Sequence, residues 1–135
     1  MNLLAKEYFS LQEISNIWAV SRDDLLYYGE NNILEISVRP AAIAAGIERV
    51  CYNTEFANYL AEGKSQCFSP QPLLPTDIYR IMKAGTDAVP VYHTKYRFHE
   101  KISDIIENKG ILLSYTDLVV TRAEKHCFEI NNGMC

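Results

Sequence analysis

The sequence has no hydrophobic run that approaches the roughly 20 apolar residues needed to cross a bilayer. The segment MNLLAKEYFSL at its start lacks the apolar stretch and the cleavage site of a signal peptide. A net charge of −4 and a pI near 5.3 argue against a non-specific DNA coat or a protein that binds anionic membranes. We therefore expect a cytoplasmic protein without membrane contact.

Cysteine is also scarce, and none of Cys51, Cys67, Cys127 and Cys135 belongs to a Cys-x-x-Cys pair. This spacing is not typical of a zinc site. His126 beside Cys127 does not change that, because adjacent residues on a helix face different directions. Without a secretion signal we expect reduced thiols. The sequence has no glycine-rich phosphate loop and no catalytic motif, so it indicates no metal, no cofactor and no enzyme activity.

A chain of 135 residues with 48% hydrophobic residues can bury the core of one domain. Residues 69–76, SPQPLLPT, contain three prolines, which remove backbone donors and favour extended backbone. We interpret them as a linker between one lobe at residues 1–68 and another at residues 77–135. A surface loop within a single domain, residues 1–135, fits the same pattern equally well.

Residues 8–38 carry the clearest local signals. Ser10 and Glu13 have the spacing of a capping box. Ser21 and Asp24 give a second N-cap signal, and residues 29–32 provide Gly and Asn to end that helix. Alternation over residues 33–38 predicts a half-buried strand. The predicted apolar faces are Leu11, Ile14, Ile17 and Trp18 in the first helix, and Leu25, Leu26 and Tyr28 in the second.

Two short helices, a tight turn and a strand form the outline of a helix-turn-helix with a wing. A plain helical hairpin that caps a core fits the same pattern equally well. Val20-Ser21, residues 25–28 (LLYY) and residues 32–34 (NIL) give a resemblance to the N-terminal part of MerR-type regulators and of excisionase-like winged-helix domains. The family pattern has Val-Ser in the turn, then Leu-Arg-Tyr-Tyr, then Gly-Leu before the wing. The resemblance implies a winged fold that binds duplex DNA, with a role connected to mobile elements.

The sequence departs from this family in charge. Leu26 stands where the family has a basic residue. Between Tyr8 and Arg39 there are two basic residues and five acidic ones. Because DNA affinity depends largely on neutralising phosphates, an acidic second helix opposes it. An exposed Leu26 would fit a protein contact better than a DNA groove.

The remaining elements are predicted from proline, glycine and helix-capping residues. Pro40 can begin a helix that ends near Gly46, or residues 47–52 can form a strand. The segment from Thr54 fits a helix or a hairpin. Thr76 can cap a helix over residues 77–84, with residues 78, 81 and 82 facing inward and Gly85 closing it.

Residues 91–99 alternate strictly, which predicts a strand with two different faces. The basic face could contact phosphate, but a solvated face over an aromatic inner face is the interpretation we favour. The inner face would hold Tyr92, Thr94, Tyr96 and Phe98, and the outer face His93, Lys95, Arg97 and His99.

The C-terminal part is predicted as a short helix over residues 101–108, Gly110, a strand over residues 111–115, and a last helix. Thr121 and Glu124 form another capping-box spacing, so this helix should run from Arg122 to about Glu129. MerR-type regulators continue into a long dimerising helix, and no such helix is visible here. The sequence therefore does not predict the helix through which such regulators form a two-fold dimer on their DNA operator.

Together these observations predict an α+β fold, with an N-terminal winged helix-turn-helix-like unit followed by a small mixed α/β part. The function we expect is a small DNA-binding accessory or regulatory protein. The alternative is a protein-interaction module that keeps the fold, does not bind DNA, and contacts another protein or a second copy through Leu26 and Tyr27. The predicted DNA-binding residues are Arg22, Tyr27, Tyr28, Arg39, Lys95 and Arg97.

Overall fold

The computed structural model describes residues 6–43, 70–94 and 106–133. The helices are α1 (Leu11–Trp18), α2 (Arg22–Glu30), α3 (Pro75–Ala84) and α4 (Arg122–Asn131). The strands are β1 (Tyr8–Ser10), β2 (Ser37–Val38), β3 (Gln71–Pro72), β4 (Val89–Val91), β5 (Ile111–Leu113) and β6 (Leu118–Thr121). Residues 40–43 and 106–109 are also helical. The predictions for residues 44–68 and 95–105, with Lys95 and Arg97, lie outside the described residues.

Helix α1 begins at the predicted capping box. The backbone N–H of Glu13 donates to the Ser10 hydroxyl, and the Ser10 N–H donates to the Glu13 carboxylate, each at 3.1 Å. The helix ends at Ala19, which is left-handed with φ of 56°. Three members of the predicted apolar stripe are buried, but Ile17 is 53% exposed. At 3.6 residues per turn, Ile17 lies about 90° from the centre of that stripe, so the prediction that it faces inward is wrong.

Helix α2 also starts as predicted, because the Ser21 hydroxyl accepts a hydrogen bond from the Asp24 N–H at 3.1 Å. It ends at Glu30, after which Asn32 adopts a φ of 58°. Only the last two residues of the predicted strand 33–38 form β2. The N–H groups of residues 33 and 34 both donate to the Tyr28 carbonyl, so they cannot pair with a neighbouring strand. Leu34 and Ile36 are buried and Ile33 is exposed, as the alternation predicts, but Ser37 is buried along with Val38, so the alternation ends at Ile36.

The main sheet is antiparallel, with strand order β1-β6-β2-β3. Strand β6 lies between two neighbours, and Val119 in it is paired with Ser10 on one side and with Ser37 on the other. A second antiparallel sheet contains β4 and β5. The described residues therefore confirm a mixed fold of helices and small antiparallel sheets.

The Pro-rich segment takes part in the main sheet. Gln71–Pro72 pairs with β2 at an edge position, where proline is tolerated because no ladder donor is required of it. Helix α3 then begins at Pro75, with Leu74 at the N-cap. Within the predicted linker or loop over residues 69–76, residues 71–72 form an edge strand and residues 75–76 begin α3, so Thr76 is not the cap. Gly85, with φ of 65°, ends the helix as predicted.

Of the predicted strand over residues 91–99, Val91 ends β4 and residues 92–94 are not in a strand, while residues 95–99 lie outside the described residues. Tyr92 was expected on the buried face but is 40% exposed. Its ring lies against Gly110, where an added Cβ would approach the Tyr92 Cε1 atom to 2.8 Å. Gly110 has φ of 73° and precedes β5, as the sequence predicts.

Helix α4 begins where the Thr121 hydroxyl accepts a hydrogen bond from the Glu124 N–H, at 3.2 Å. It runs to Asn131, two residues beyond the predicted end. Its Phe128 ring stacks on Trp18 of α1, with centroids 4.5 Å apart. This contact places the first and last described helices in the same hydrophobic core. No helix in the described ranges is long and apolar enough to cross a membrane.

Gly29 of α2 packs directly against core side chains. A Cβ added there would be 2.6 Å from the Ile36 Cδ1 atom and 3.0 Å from the Ile78 Cγ2 atom. Both isoleucines are fully buried, so neither can move aside easily. Overpacking costs about 1–3 kcal/mol, whereas alanine regains up to about 1 kcal/mol of helix propensity.

We therefore expect Gly29→Ala to lower the free energy of unfolding, measured by chemical denaturation. The matched control is the same change in an Ile36→Val background, which removes the Cδ1 atom. The cost of Gly29→Ala should be smaller in that background. A Gly29→Ala variant as stable as the parent would contradict the packing described here.

The Glu129 carboxylate accepts hydrogen bonds from the Lys125 ammonium at 2.8 Å and from the Trp18 indole N–H at 2.9 Å. These bonds, the one from Lys125 first, hold the pKa of Glu129 below its ordinary value. Because the folded-state pKa is the lower one, the stability that Glu129 contributes is present above its unfolded pKa. It is lost as the pH falls through the folded pKa.

An NMR titration of the Glu129 carboxyl should therefore give a pKa below the value of about 4.3 found in model peptides. Fluorescence of Trp18, the only tryptophan, should change over the same pH range. Glu129→Gln should abolish that fluorescence step while keeping an acceptor for the indole. A titration at or above the model-peptide value would show that these hydrogen bonds are not formed in solution.

Candidate functional site

Two of the predicted DNA-binding residues meet at one cleft. Arg22 is the first residue of α2, and Arg39 follows directly after β2. The cleft has a volume of about 200 Å³. Its polar and aromatic lining, beside two core leucines, consists of Ser10, Gln12, Arg22, Arg39, Tyr115 and Thr116.

Arg22 is held by an aromatic ring rather than by an acid. Its guanidinium lies 3.9 Å from the centroid of the Tyr115 ring, which is a close cation–π contact. It forms no hydrogen bond or ion pair with another described residue. The Tyr115 contact therefore orients the guanidinium and leaves its N–H donors available.

Arg39 is anchored to the short 3-10 turn, Tyr115–Asp117, that also carries Tyr115. Its Nη2 atom donates to the Thr116 carbonyl at 3.0 Å, and its backbone N–H donates to the Asp117 carbonyl at 3.0 Å. The Nε–H is buried and has no acceptor among the described residues. The charge of Arg39 is likewise not paired with a described carboxylate. Two arginine charges thus share a cleft without a counter-charge in its lining.

Of the acids next to lining residues in sequence, Asp117 and Glu13 are engaged elsewhere, whereas Asp23, beside Arg22, is exposed. The Asp117 carboxylate accepts a hydrogen bond from the Ser114 N–H at 3.0 Å and so closes the 3-10 turn Tyr115–Asp117. Glu13 pairs with Lys6 and accepts the Ser10 N–H. Those hydrogen bonds, with the Lys6 contribution the larger, hold the pKa of Glu13 below its ordinary value. The cleft is therefore locally cationic in a chain of net charge −4.

Neither predicted tyrosine lines the cleft. Tyr27 is 52% exposed on α2. Tyr28 is partly buried, and its ring centroid lies 5.9 Å from that of Phe128. The sequence did not single out Tyr115 or Thr116 as site residues. No local pattern could have done so, because they reach Arg22 and Arg39 only through the strand pairing of β6.

The prediction that Leu26 is exposed has to be corrected. It was expected to be exposed and to contact a partner, but it is 2% exposed and belongs to the hydrophobic core. Leu25, Leu26 and Gly29 form the buried side of α2, and Tyr27 points away from them. A leucine at this position therefore serves packing, and the partner surface predicted through it is wrong. Tyr27 keeps the exposure that was expected of it.

The acidic character of α2 is found at its surface, where Asp23 and Asp24 are exposed in the first turn. Acids are favourable there because the N-terminus of a helix carries a partial positive charge. Among the described residues no group of three or more His, Cys, Asp or Glu side chains could hold a metal ion. Cys127 is a free, exposed thiol.

Comparison of the chain with family models, with curated proteins and with solved structures found no match. The resemblance of residues 8–38 to MerR-type and excisionase-like domains stays a prediction. What the chain does has to be inferred from the cleft and the surfaces around it.

The two adjacent residues Leu26 and Tyr27 give a direct test of which side of α2 is buried. Leu26→Ala should lower the free energy of unfolding by about 2–5 kcal/mol, because it leaves a cavity in the core. Tyr27→Ala, as the control, should cost about 1 kcal/mol or less, as is usual for exposed positions. Thermal or urea denaturation measures both, and equal costs would contradict the burial described.

Proposed function

We propose that this chain is a small DNA-binding accessory or regulatory protein of helix-turn-helix type. The observation that supports the proposal is the meeting of Arg22 and Arg39 in one cleft whose lining contains no acid. Phosphate contacts of DNA-binding proteins come mainly from arginine, lysine, hydroxyl groups and helix N-termini. The cleft brings together arginine side chains, hydroxyl groups and the N-terminus of α2.

The geometry of the two helices fits this role. Helices α1 and α2 are joined by three residues, Ala19 to Ser21, as is common in helix-turn-helix units. In such units the N-terminal residues of the second helix approach the bases, and Arg22 is the first residue of α2. In the winged arrangement we propose, β2 follows the helix pair and brings Arg39 to the same side.

Charge sets the strength of binding that we propose. Asp23 and Asp24 are exposed one and two residues beyond Arg22, and they would repel a phosphate backbone. Few cations are therefore available for phosphate neutralisation, so the affinity should be modest and should depend weakly on salt. A protein with modest DNA affinity would act together with a second protein that binds DNA more tightly. This agrees with an accessory role at mobile elements.

A protein-interaction module is the second candidate, and Tyr27 and Ile33 are the residues that favour it. Both side chains are about half exposed, one on α2 and the other just after its end. They would offer apolar surface to another protein or to a second copy. Leu26 no longer contributes to this candidate, because it is buried in the core.

Fluorescence anisotropy with a pool of random duplexes tests the DNA role. Each neutralised phosphate contributes about −0.9 to the slope of log affinity against log salt concentration. Two contacts predict a slope near −2 for the parent, and about −1 with weaker binding for Arg22→Ala or Arg39→Ala.

The matched control is Lys83→Ala. Lys83 is an exposed cation 5.5 Å from the Tyr79 ring centroid on α3, away from the cleft, and its loss should leave the slope unchanged. If the parent does not bind duplexes at low salt, the DNA role is wrong and the interaction module is favoured. Equal losses in all three variants would point to charge alone and not to the cleft.

A further inference from the structure

We infer that the cleft is a binding site for a single phosphate group, and that Tyr115 is the residue that positions Arg22 for it. The inference deepens the proposed function and rests on it for the source of the ligand, since a duplex would supply a backbone phosphodiester. Free phosphate carries the same tetrahedral, anionic chemistry.

The first argument is charge. Arg22 and Arg39 line one cleft, and neither forms an ion pair with a described carboxylate. Two like charges facing one space repel each other, and an anion between them turns that repulsion into attraction. A guanidinium presents its N–H groups as a planar fork that matches two phosphate oxygens.

The second argument is pre-organisation. Each guanidinium is fixed by a different residue of one short turn, Arg22 by the Tyr115 ring at 3.9 Å and Arg39 by the Thr116 carbonyl at 3.0 Å. Neither contact neutralises the positive charge. Holding a long side chain in place before binding reduces the entropy that the ligand complex must lose.

The third argument is size and lining. A volume of about 200 Å³ is several times the roughly 30 Å³ share of a water molecule, so one tetrahedral oxyanion can enter. The Ser10 hydroxyl accepts the Glu13 N–H and keeps its own hydrogen as a donor that a phosphate oxygen can use. An apolar ligand would leave both arginines unsatisfied, and a cation would be repelled.

The test is a titration of the full chain with inorganic phosphate at constant ionic strength, with chloride as the compensating anion. The arginine side-chain N–H signals are followed by NMR, and far-UV circular dichroism checks the fold of each variant. We expect saturable shifts of the Arg22 and Arg39 signals, and no shift of Arg80. Arg80 is the control because it is an exposed arginine paired with Asp77 on α3.

Three variants separate positioning from simple charge. Arg22→Ala should weaken phosphate binding at least about ten-fold, as expected for a charged hydrogen bond. Tyr115→Leu keeps both arginines but removes the ring, and should weaken binding about two- to five-fold. Tyr115→Phe keeps the ring face and should bind like the parent. If Tyr115→Phe and Tyr115→Leu lose binding equally, Tyr115 does not act through its ring and the positioning role is overturned.

Duplex DNA forms the second arm, with inorganic phosphate as its competitor. Phosphate binding without duplex binding would support the site and reject the DNA role. Duplex binding without any shift of Arg22 or Arg39 on adding phosphate would overturn the site and leave the DNA role standing. Equal shifts of Arg80 would also overturn the site, because they would indicate a general salt effect.

Discussion

The structure depends on the pairing of β6 with two neighbours at once. Val119 faces Ser10 of β1 on one side and Ser37 of β2 on the other, so the start of α1, the end of β2 and the turn before β6 are fixed together. The cleft is a product of this register. A shift by one residue would turn the side chains of β6 to the other face and separate Arg39 from Thr116.

The parts of the fold that the sequence predicts are those governed by neighbours in the chain. Ser10, Ser21 and Thr121 cap their helices as expected, since a cap needs only a side chain three residues from its donor. Gly85 and Gly110 mark helix ends for the same local reason.

The differences from prediction have two origins, distant residues at Leu26 and in the Pro-rich segment, and local geometry at Ile17 and in the strand before Val38. Leu26 was expected to be exposed because it stands where the resembled family has a basic residue, whereas its burial is set by the surrounding core. The predicted strand before Val38 is shortened by hydrogen bonds to the Tyr28 carbonyl, and the Pro-rich segment is drawn into the sheet by β2. Arg22 and Arg39 could be named from the sequence, but Tyr115 could not, because its contact depends on tertiary structure.

The close contact at Gly29 has a consequence for motion. With no side chain there, α2 lies directly against Ile36 and Ile78 and has no room to rotate about its own axis. The helix is then held rigidly against the core, and each guanidinium is already held by Tyr115 or Thr116. A ligand that approaches the start of α2 therefore meets backbone and side chains that are both in place before it arrives.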